Sequence, residues 1–164
     1  MHTDLHGKVN EAAWRLTLGA DQLHLTRTSP MAQPEEYVLD IGVASIARRW
    51  FKHEPPSALE VEYAIEEIEN KLETWHRLAG QVLPLHTPDS QILDIAKLAA
   101  IPLQAETALS RDVVEHTFGR LVAVIQGRPA SVEGLPADRL FAARLLILRE
   151  FMHHMKCESI IVKT

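Results

Sequence analysis

Three residues in two short segments of this 164-residue chain carry groups that can bind an anion or a metal ion: His24, His86 and Asp89. They offer two imidazole groups and one carboxylate, which are side chains that bind metal ions. We predict one ligand-binding site if the fold brings both segments to one edge of a sheet. The alternative is that they are ordinary polar loop residues.

The first segment belongs to a predicted β-hairpin. Apolar residues alternate with polar ones on both sides of the turn at Gly19-Ala20-Asp21, which is typical of strands with one buried face: Trp14, Leu16, Leu18, Leu23 and Leu25. Residues 29–34 are predicted to form a loop, because prolines would deprive a central strand of hydrogen-bond donors. A third strand is predicted over residues 36–41, ending at Gly42.

The rest of the chain alternates between predicted helices and short strands. Ser57 and Glu60 form a capping-box pattern just after Pro55-Pro56, which indicates the start of a long helix. The predicted helices are 44–51, Ser57 to about Leu78, one capped at Asp89 or Ser90, one from Ser110 to Gly127, and 137–155. The predicted later strands are 81–85 and 159–163, with a loop over 128–136.

The resulting order is β-β-β-α-β-α-β. Hairpin strands followed by right-handed crossovers predict an α/β domain, with a mixed five-stranded sheet and helices on its faces. Residues 1–10 are polar and are expected to form a flexible N-terminal tail. Residues 11–164 are expected to form a single domain, because this length is ordinary for one core.

Composition excludes several classes of function. The net charge is −5 and the basic residues are scattered, so we expect no nucleic-acid partner. No apolar segment reaches the roughly 20 residues of a membrane span, so we expect no membrane partner. A single cysteine, Cys157, forms no intramolecular disulfide and is typical of a reducing compartment. We therefore expect a cytoplasmic protein.

The strand order is that of the actin-like ATPase fold, also called ribonuclease-H-like, and two segments make the likeness more specific. Leu39 to Ser57 contains a strand that ends in Gly-Val, an amphipathic turn with Arg and Phe, and Pro-Pro-Ser before a helix. Ser110 to Val162 contains a helix, an Arg-Pro loop, an apolar helix and a strand. The chain resembles the exopolyphosphatase and guanosine pentaphosphate phosphohydrolase family, and specifically the second of its two actin-like domains.

The chain departs from that family where the family performs its chemistry. The resemblance implies a glycine-rich turn that holds phosphate in the hairpin, but residues 17–24 keep only Gly19 and place Asp21 there. A second glycine-rich loop is implied after the fourth strand, where residues 85–90 contain no glycine. The other catalytic carboxylate of the family belongs to a first domain, which this sequence does not contain. The resemblance implies that Gly19, His24, Thr87, Asp89 and Ser90 would be the loop positions nearest a bound phosphate. We assign no catalytic residue and no metal ligand.

Three functions remain open. The first is a non-catalytic, exopolyphosphatase-related domain that binds a phosphate-containing ligand or a protein partner. The second is a phosphohydrolase acting on polyphosphate or guanosine tetra- and pentaphosphate, with Mg²⁺ as its cofactor, completed by a missing first domain or by a homodimer. The third is a structural oligomerisation domain. No cofactor is expected outside the enzymatic alternative.

Other clusters have ordinary explanations beside the functional ones. Arg48, Arg49 and Lys52 form a solubilising face or a polyanion site, and the glutamates after Ser57 form a solvated helix face or a docking surface. Four aromatic residues are expected in the core or an interface: Trp14, Trp50, Phe51 and Trp75. If the missing first domain normally covers one of them, its exposure would create an apolar patch for self-association. His153 and His154 are adjacent on a predicted helix, so their side chains diverge by about 100° and do not chelate one ion.

Overall fold

The computed structural model describes residues 12–80, 82 and 84–163. The strands are β1 Ala13–Leu18, β2 Leu23–Ser29, β3 Ala32–Leu39, β4 Leu85–Thr87, β5 Glu106–Ser110 and β6 Ser159–Lys163. The helices are α1 Val43–Trp50, α2 Ala58–Ala79, α3 Ser90–Leu98, α4 Arg111–Ile125, α5 Ala130–Glu133 and α6 Arg139–His154. The tail predicted over residues 1–10 lies outside the described residues.

The strands form one mixed sheet in the order β3-β2-β1-β4-β6-β5. β1 pairs antiparallel with β2 and parallel with β4, whereas β6 pairs parallel with β4 and antiparallel with β5. The predicted α/β class, with a mixed sheet and helices, is confirmed, but the described helices pack on one face of the sheet rather than on both. The predicted number of five strands is wrong, because β5 adds a sixth at the sheet edge beside β6.

Several predicted boundaries also require correction. β3 begins at Ala32 rather than Glu36 and contains Pro34, which is tolerated because β3 is an edge strand. The fourth strand runs over Leu85–Thr87 rather than 81–85; of the residues predicted for it, Gln81 and Leu83 lie outside the described residues. The loop predicted over 128–136 contains the short helix α5.

The helices bury one face of the sheet. Buried side chains from the strands point to this face, among them Leu16, Leu25, Leu85, Leu109 and Ile160. The connections from β3 to β4 and from β4 to β6 move in the same direction along the sheet. Right-handed crossovers therefore place both sets of helices on the same side. Helix α6 lies at the centre of this layer, where it packs on α1, α2 and α4.

The opposite face of the sheet is exposed or half-buried at matching positions of all six strands. These positions are Glu36, Thr26, Arg15, His86, Ile161 and Ala108. His24 lies two residues before Thr26 and therefore on the same face. We call this surface the open sheet face. Two of the six predicted ligand residues, His24 and His86, lie on it.

Helix α2 begins with the predicted capping box. Ser57 Oγ accepts a hydrogen bond from Glu60 N at 3.3 Å, and Ser57 N donates to Glu60 Oε2 at 3.0 Å. Its buried residues are Val61, Ala64, Ile68, Leu72 and Trp75. No described helix is both long enough and apolar enough to span a bilayer.

Candidate functional site

The two polar segments follow neighbouring parallel strands, as the predicted site requires. In the β1–β4 pairing Arg15 lies opposite His86, so both strands end at the same edge of the sheet. The turn over residues 19–22 follows β1, and Pro88 and Asp89 follow β4. This edge is where ligands bind in many open α/β sheets. The local hydrogen bonds decide whether polar groups are free there.

Gly19 makes the hairpin turn tight. Its N–H donates to the Gln22 carbonyl oxygen at 2.9 Å, and a Cβ atom at this position would lie 2.5 Å from that oxygen. The carbonyl oxygen of Gly19 accepts a hydrogen bond from Val43 N at 3.0 Å. Gly19 is therefore required by the tight turn and by the contact of the turn with α1.

The same turn supplies hydrogen-bond acceptors to the N–H groups at the amino terminus of α1. The Ala20 carbonyl oxygen accepts hydrogen bonds from Ala44 N at 2.8 Å and Ser45 N at 3.0 Å. Gly42 N donates to Ser45 Oγ at 2.8 Å. Free N–H groups at a helix amino terminus are what usually bind anions. Here those of residues 42–45 all have partners inside the protein.

A cleft of about 600 Å³ lies beside the turn. It is lined by three carboxylates and three cations: Asp21, Asp40, Glu67, Arg48, Arg49 and Lys71. Arg48 Nη2 lies 3.2 Å from Asp21 Oδ1, Arg49 pairs with Glu67, and Lys71 Nζ donates to the Asp40 carbonyl oxygen at 2.5 Å. The charges on these six residues balance, so the cleft does not attract an anion by net charge.

The second predicted segment shapes the start of α3. Thr87 is buried towards the helices, and its Oγ1 accepts from Asp89 N at 3.2 Å. Asp89 caps the helix, with Oδ1 accepting from Gln91 N at 2.9 Å. Ser90, the first residue of α3, is exposed. The polar groups of Thr87 and Asp89 therefore have local structural uses.

The two predicted histidines lie apart on the open sheet face. His24 Nδ1 lies 3.0 Å from Glu36 Oε1. Burial lowers the pKa of the His86 imidazole, and the charge of Lys163 lowers it further. Because β1 runs between them and their registers differ by two residues, their Cα atoms are about 12 Å apart. The structure thus spreads the six residues over four places, with only Thr87, Asp89 and Ser90 grouped together, and their binding of a ligand stays a prediction.

A second surface combines Trp50 with two residues of α2. The rings of Trp50 and Tyr63 lie 5.6 Å apart, Leu59 is 55% exposed and Tyr63 is 46% exposed. Residues 59 and 63 are neighbours on one helix face, because they are four apart. We call these three residues the aromatic patch. Leu59 and Tyr63 recur at helical spacing with the apolar residues of α2, but both are exposed and lie outside its buried set.

A groove of about 370 Å³ adjoins the aromatic patch and contains Trp50 and Tyr63 together with Arg49, Glu66 and Glu67. Trp50 Nε1 donates a hydrogen bond to Glu67. The tryptophan is therefore held in place while part of its ring remains accessible. The aromatic patch had one signal in the sequence, which was the four-residue spacing of Leu59 and Tyr63 beside the glutamate-rich face of α2.

No protein family model and no curated protein sequence matches this chain. Several solved structures do match. The PPX-GPPA enzyme of Aquifex aeolicus superposes with a TM-score of 0.73 at 16% identity, over 96% of this chain and 55% of that one. The type II crystal variant of the Ppx/GppA phosphatase from the same organism gives 0.71 at 15%, over 96% and 54%.

An exopolyphosphatase from Cytophaga hutchinsonii gives a TM-score of 0.69 at 11% identity, over 94% of this chain and 54% of that one. The chain thus has the actin-like fold found in exopolyphosphatase proteins, as its sequence predicts. It spans about half the length of these neighbours. At such low identity the likeness establishes the fold alone.

Proposed function

We propose that this chain is a non-catalytic, exopolyphosphatase-related domain that acts by binding a protein partner, and that the partner is a second copy of the chain. The absence of catalysis in this proposal rests on one observation: the N–H groups at the amino terminus of α1 are already hydrogen-bonded within the protein. These N–H groups, from Gly42 to Ser45, are hydrogen-bonded to Gly19, Ala20 and Ser45 itself. A phosphoryl group would have to displace these bonds before it could bind there.

Electrostatics at the sheet edge supports the same proposal. Asp21 lies in the first turn, and Asp89 caps the helix after β4. Two like unit charges about 4 Å apart repel by about 4 kcal/mol at an effective dielectric constant near 20. Arg48 offsets part of the repulsion from Asp21, but neither loop contains a lysine or arginine that would attract a phosphoryl group. We therefore favour a protein partner over a phosphate-containing ligand for this domain.

A phosphate-release assay tests the absence of catalysis. The full chain is incubated with long-chain polyphosphate or guanosine pentaphosphate and Mg²⁺, beside a two-domain exopolyphosphatase as a positive control. We expect release no faster than in buffer. Release that grows with protein concentration and is lost in the Thr87→Ala, Asp89→Ala double variant would favour the phosphohydrolase alternative instead.

The aromatic patch and the charges around it support self-association. Tryptophan and tyrosine are enriched among residues that dominate interface energy. Helix α1 carries the exposed cations Arg48 and Arg49, and α2 carries the exposed carboxylates Glu62 and Glu66. A twofold axis through the patch would set α1 of one copy against α2 of the other, so opposite charges would meet.

Sedimentation velocity tests the dimer. We expect the wild-type chain to dimerise and Tyr63→Glu to shift it to monomer, since a charge would be buried in the contact. Leu78→Glu is the matched control, because Leu78 is also exposed on α2 but lies about four turns away. A wild-type chain that stays monomeric at high concentration, or a dimer that Leu78→Glu disrupts equally, would contradict this interface. Stabilisation by polyphosphate without turnover would point to the phosphate ligand instead.

A further inference from the structure

Three ligating side chains converge between α2 and α6, away from the sheet edge. Glu150 and His154 lie one turn apart on α6, and Glu69 projects from α2. One donor atom from each lies within 4.8 Å of the other two. From this geometry we infer a binding site for a divalent transition-metal ion, with Zn²⁺ as the best fit, formed by Glu69, Glu150 and His154.

The distances favour a shared metal ion over direct hydrogen bonds. His154 Nε2 lies 3.5 Å from Glu69 Oε1 and 3.5 Å from Glu150 Oε2. This is too long for a good N–H···O hydrogen bond. Ligands about 2.1 Å from a tetrahedral zinc ion lie about 3.4 Å from one another, which matches both separations.

The imidazole nitrogen supplies a separate observation. His154 Nε2 is shielded from solvent and has no hydrogen-bond partner among the described residues. Buried polar atoms are rarely left unsatisfied in folded proteins. This atom points between two carboxylates, and a bound cation would satisfy it.

The charges of the cluster call for a cation as well. The Glu150 side chain is only 4% exposed, and its Oε1 accepts from Arg149 Nη1 at 2.7 Å while Oε2 is turned to His154. Glu69 supplies the second carboxylate, with an oxygen within 4.8 Å of an oxygen of Glu150. A divalent ion would remove the repulsion between the two carboxylates.

The donor set limits the ion and its role. Carboxylate oxygens combined with one imidazole suit Zn²⁺ and its neighbours among the divalent transition metals better than Ca²⁺ or Mg²⁺, which prefer all-oxygen sites. Three protein ligands leave a fourth position for water. Because the ligands come from two helices, the ion would hold α2 against α6. The Glu150–His154 spacing is visible in the sequence, whereas Glu69 is brought to it only by the packing of α2 on α6.

Calorimetric titration of the chelator-treated full chain with ZnCl₂, and separately with MgCl₂, tests the site. We expect one Zn²⁺ per chain and a higher melting temperature with Zn²⁺ but not with Mg²⁺. His154→Ala and Glu69→Gln should each weaken Zn²⁺ binding by about tenfold or more. Glu69 is 46% exposed, so its variant keeps the test informative if changes at the buried Glu150 prevent folding. Co²⁺ added to the metal-free chain should give the visible absorption of a tetrahedral complex.

Two neighbouring positions provide matched controls. His153→Ala removes an exposed histidine next in sequence, and Glu73→Gln removes an exposed carboxylate one turn from Glu69. Neither should change Zn²⁺ affinity. The inference is wrong if Zn²⁺ fails to bind, if His154→Ala retains full affinity, or if His153→Ala weakens binding as much.

Discussion

Gly42 lies directly against the peptide group of Ala20. A Cβ atom on Gly42 would come closer than 3.0 Å to the carbonyl group of Ala20 and to the nitrogen of Asp21. The φ angle of Gly42 is −151°, an extended value open to any residue, so the close contact alone requires glycine. This contact seats the hairpin turn on the amino terminus of α1. It is the basis of the proposed loss of phosphate binding.

The Gly42→Ala variant should therefore be destabilised. Because the nearest atoms are backbone, the turn must move away from α1, and we expect a loss of about 1–3 kcal/mol in the free energy of unfolding. Urea unfolding followed by circular dichroism measures it. Gly119→Ala is the control: Gly119 lies within α4 with nothing within 4 Å of the added atom, so that variant should gain about 0.5–1 kcal/mol. Equal stability of the two variants would contradict the contact.

Asp89 should act as a helix cap. Removing its acceptor in Asp89→Ala leaves Gln91 N without its partner and should cost about 1 kcal/mol of stability. Asp89→Asn and Asp89→Ser preserve capping and should lose much less. Chemical denaturation of the three variants compares them. If Asp89→Asn were as unstable as Asp89→Ala, a role of the negative charge rather than of the cap would be indicated.

Glu67 should make stability fall in acid. Burial raises the pKa of the Glu67 carboxyl, but the hydrogen bond from Trp50 Nε1 and the charges of Arg49 and Lys71 outweigh it, so the pKa lies below its ordinary 4.5. A lowered folded-state pKa gives stability that is present above 4.5 and lost as the pH falls through the folded value. Tryptophan fluorescence recorded from pH 7 to pH 2 should report this titration through Trp50.

The Glu67→Gln variant should lose that fluorescence transition and have lower stability at pH 7. Glu66→Gln, at an exposed position next in sequence, should behave like the wild type. An unchanged pH profile in Glu67→Gln would show that another carboxylate governs the acid transition.

Cys157 should be unreactive in the folded protein. Its thiol is fully buried and lies 3.4 Å from the Val82 carbonyl oxygen, and burial raises its pKa from 9.0 to about 12, against a small opposing effect of Arg111. The thiol thus stays neutral at pH 8, where a disulfide reagent should react only after urea unfolds the chain. Rapid reaction under native conditions would contradict this burial.

The raised pKa of the Cys157 thiol should also change the stability of the protein at alkaline pH. A thiol whose pKa is raised by folding stabilises the native state below pH 9.0, and this contribution is lost as the pH rises from 9.0 towards 12. The Cys157→Ala variant should show a weaker fall in melting temperature over that range. A fall identical to that of the wild type would assign the alkaline transition to other groups.

Local patterns were sufficient for most of the secondary structure. Alternation predicted β1 and β2, and capping residues predicted the starts of α2 and α4, because these signals depend on neighbours in sequence. β5 was missed because it is a short edge strand whose pairing with β6 is made across some fifty intervening residues. The extension of β3 through Pro34 depends on its edge position, which only the assembled sheet defines.

The sequence by itself determined β1, β2, the long helices and the α/β class, because local patterns in adjacent residues specify them. Tertiary structure alone decided which polar groups remain available. The N–H groups of α1 are occupied because the turn at Gly19 and Ala20 packs on them, and Glu69 meets Glu150 and His154 because α2 packs on α6. Hydrogen bonds and ion clusters depend on distances between atoms, and distances between remote segments are fixed only when the core packs.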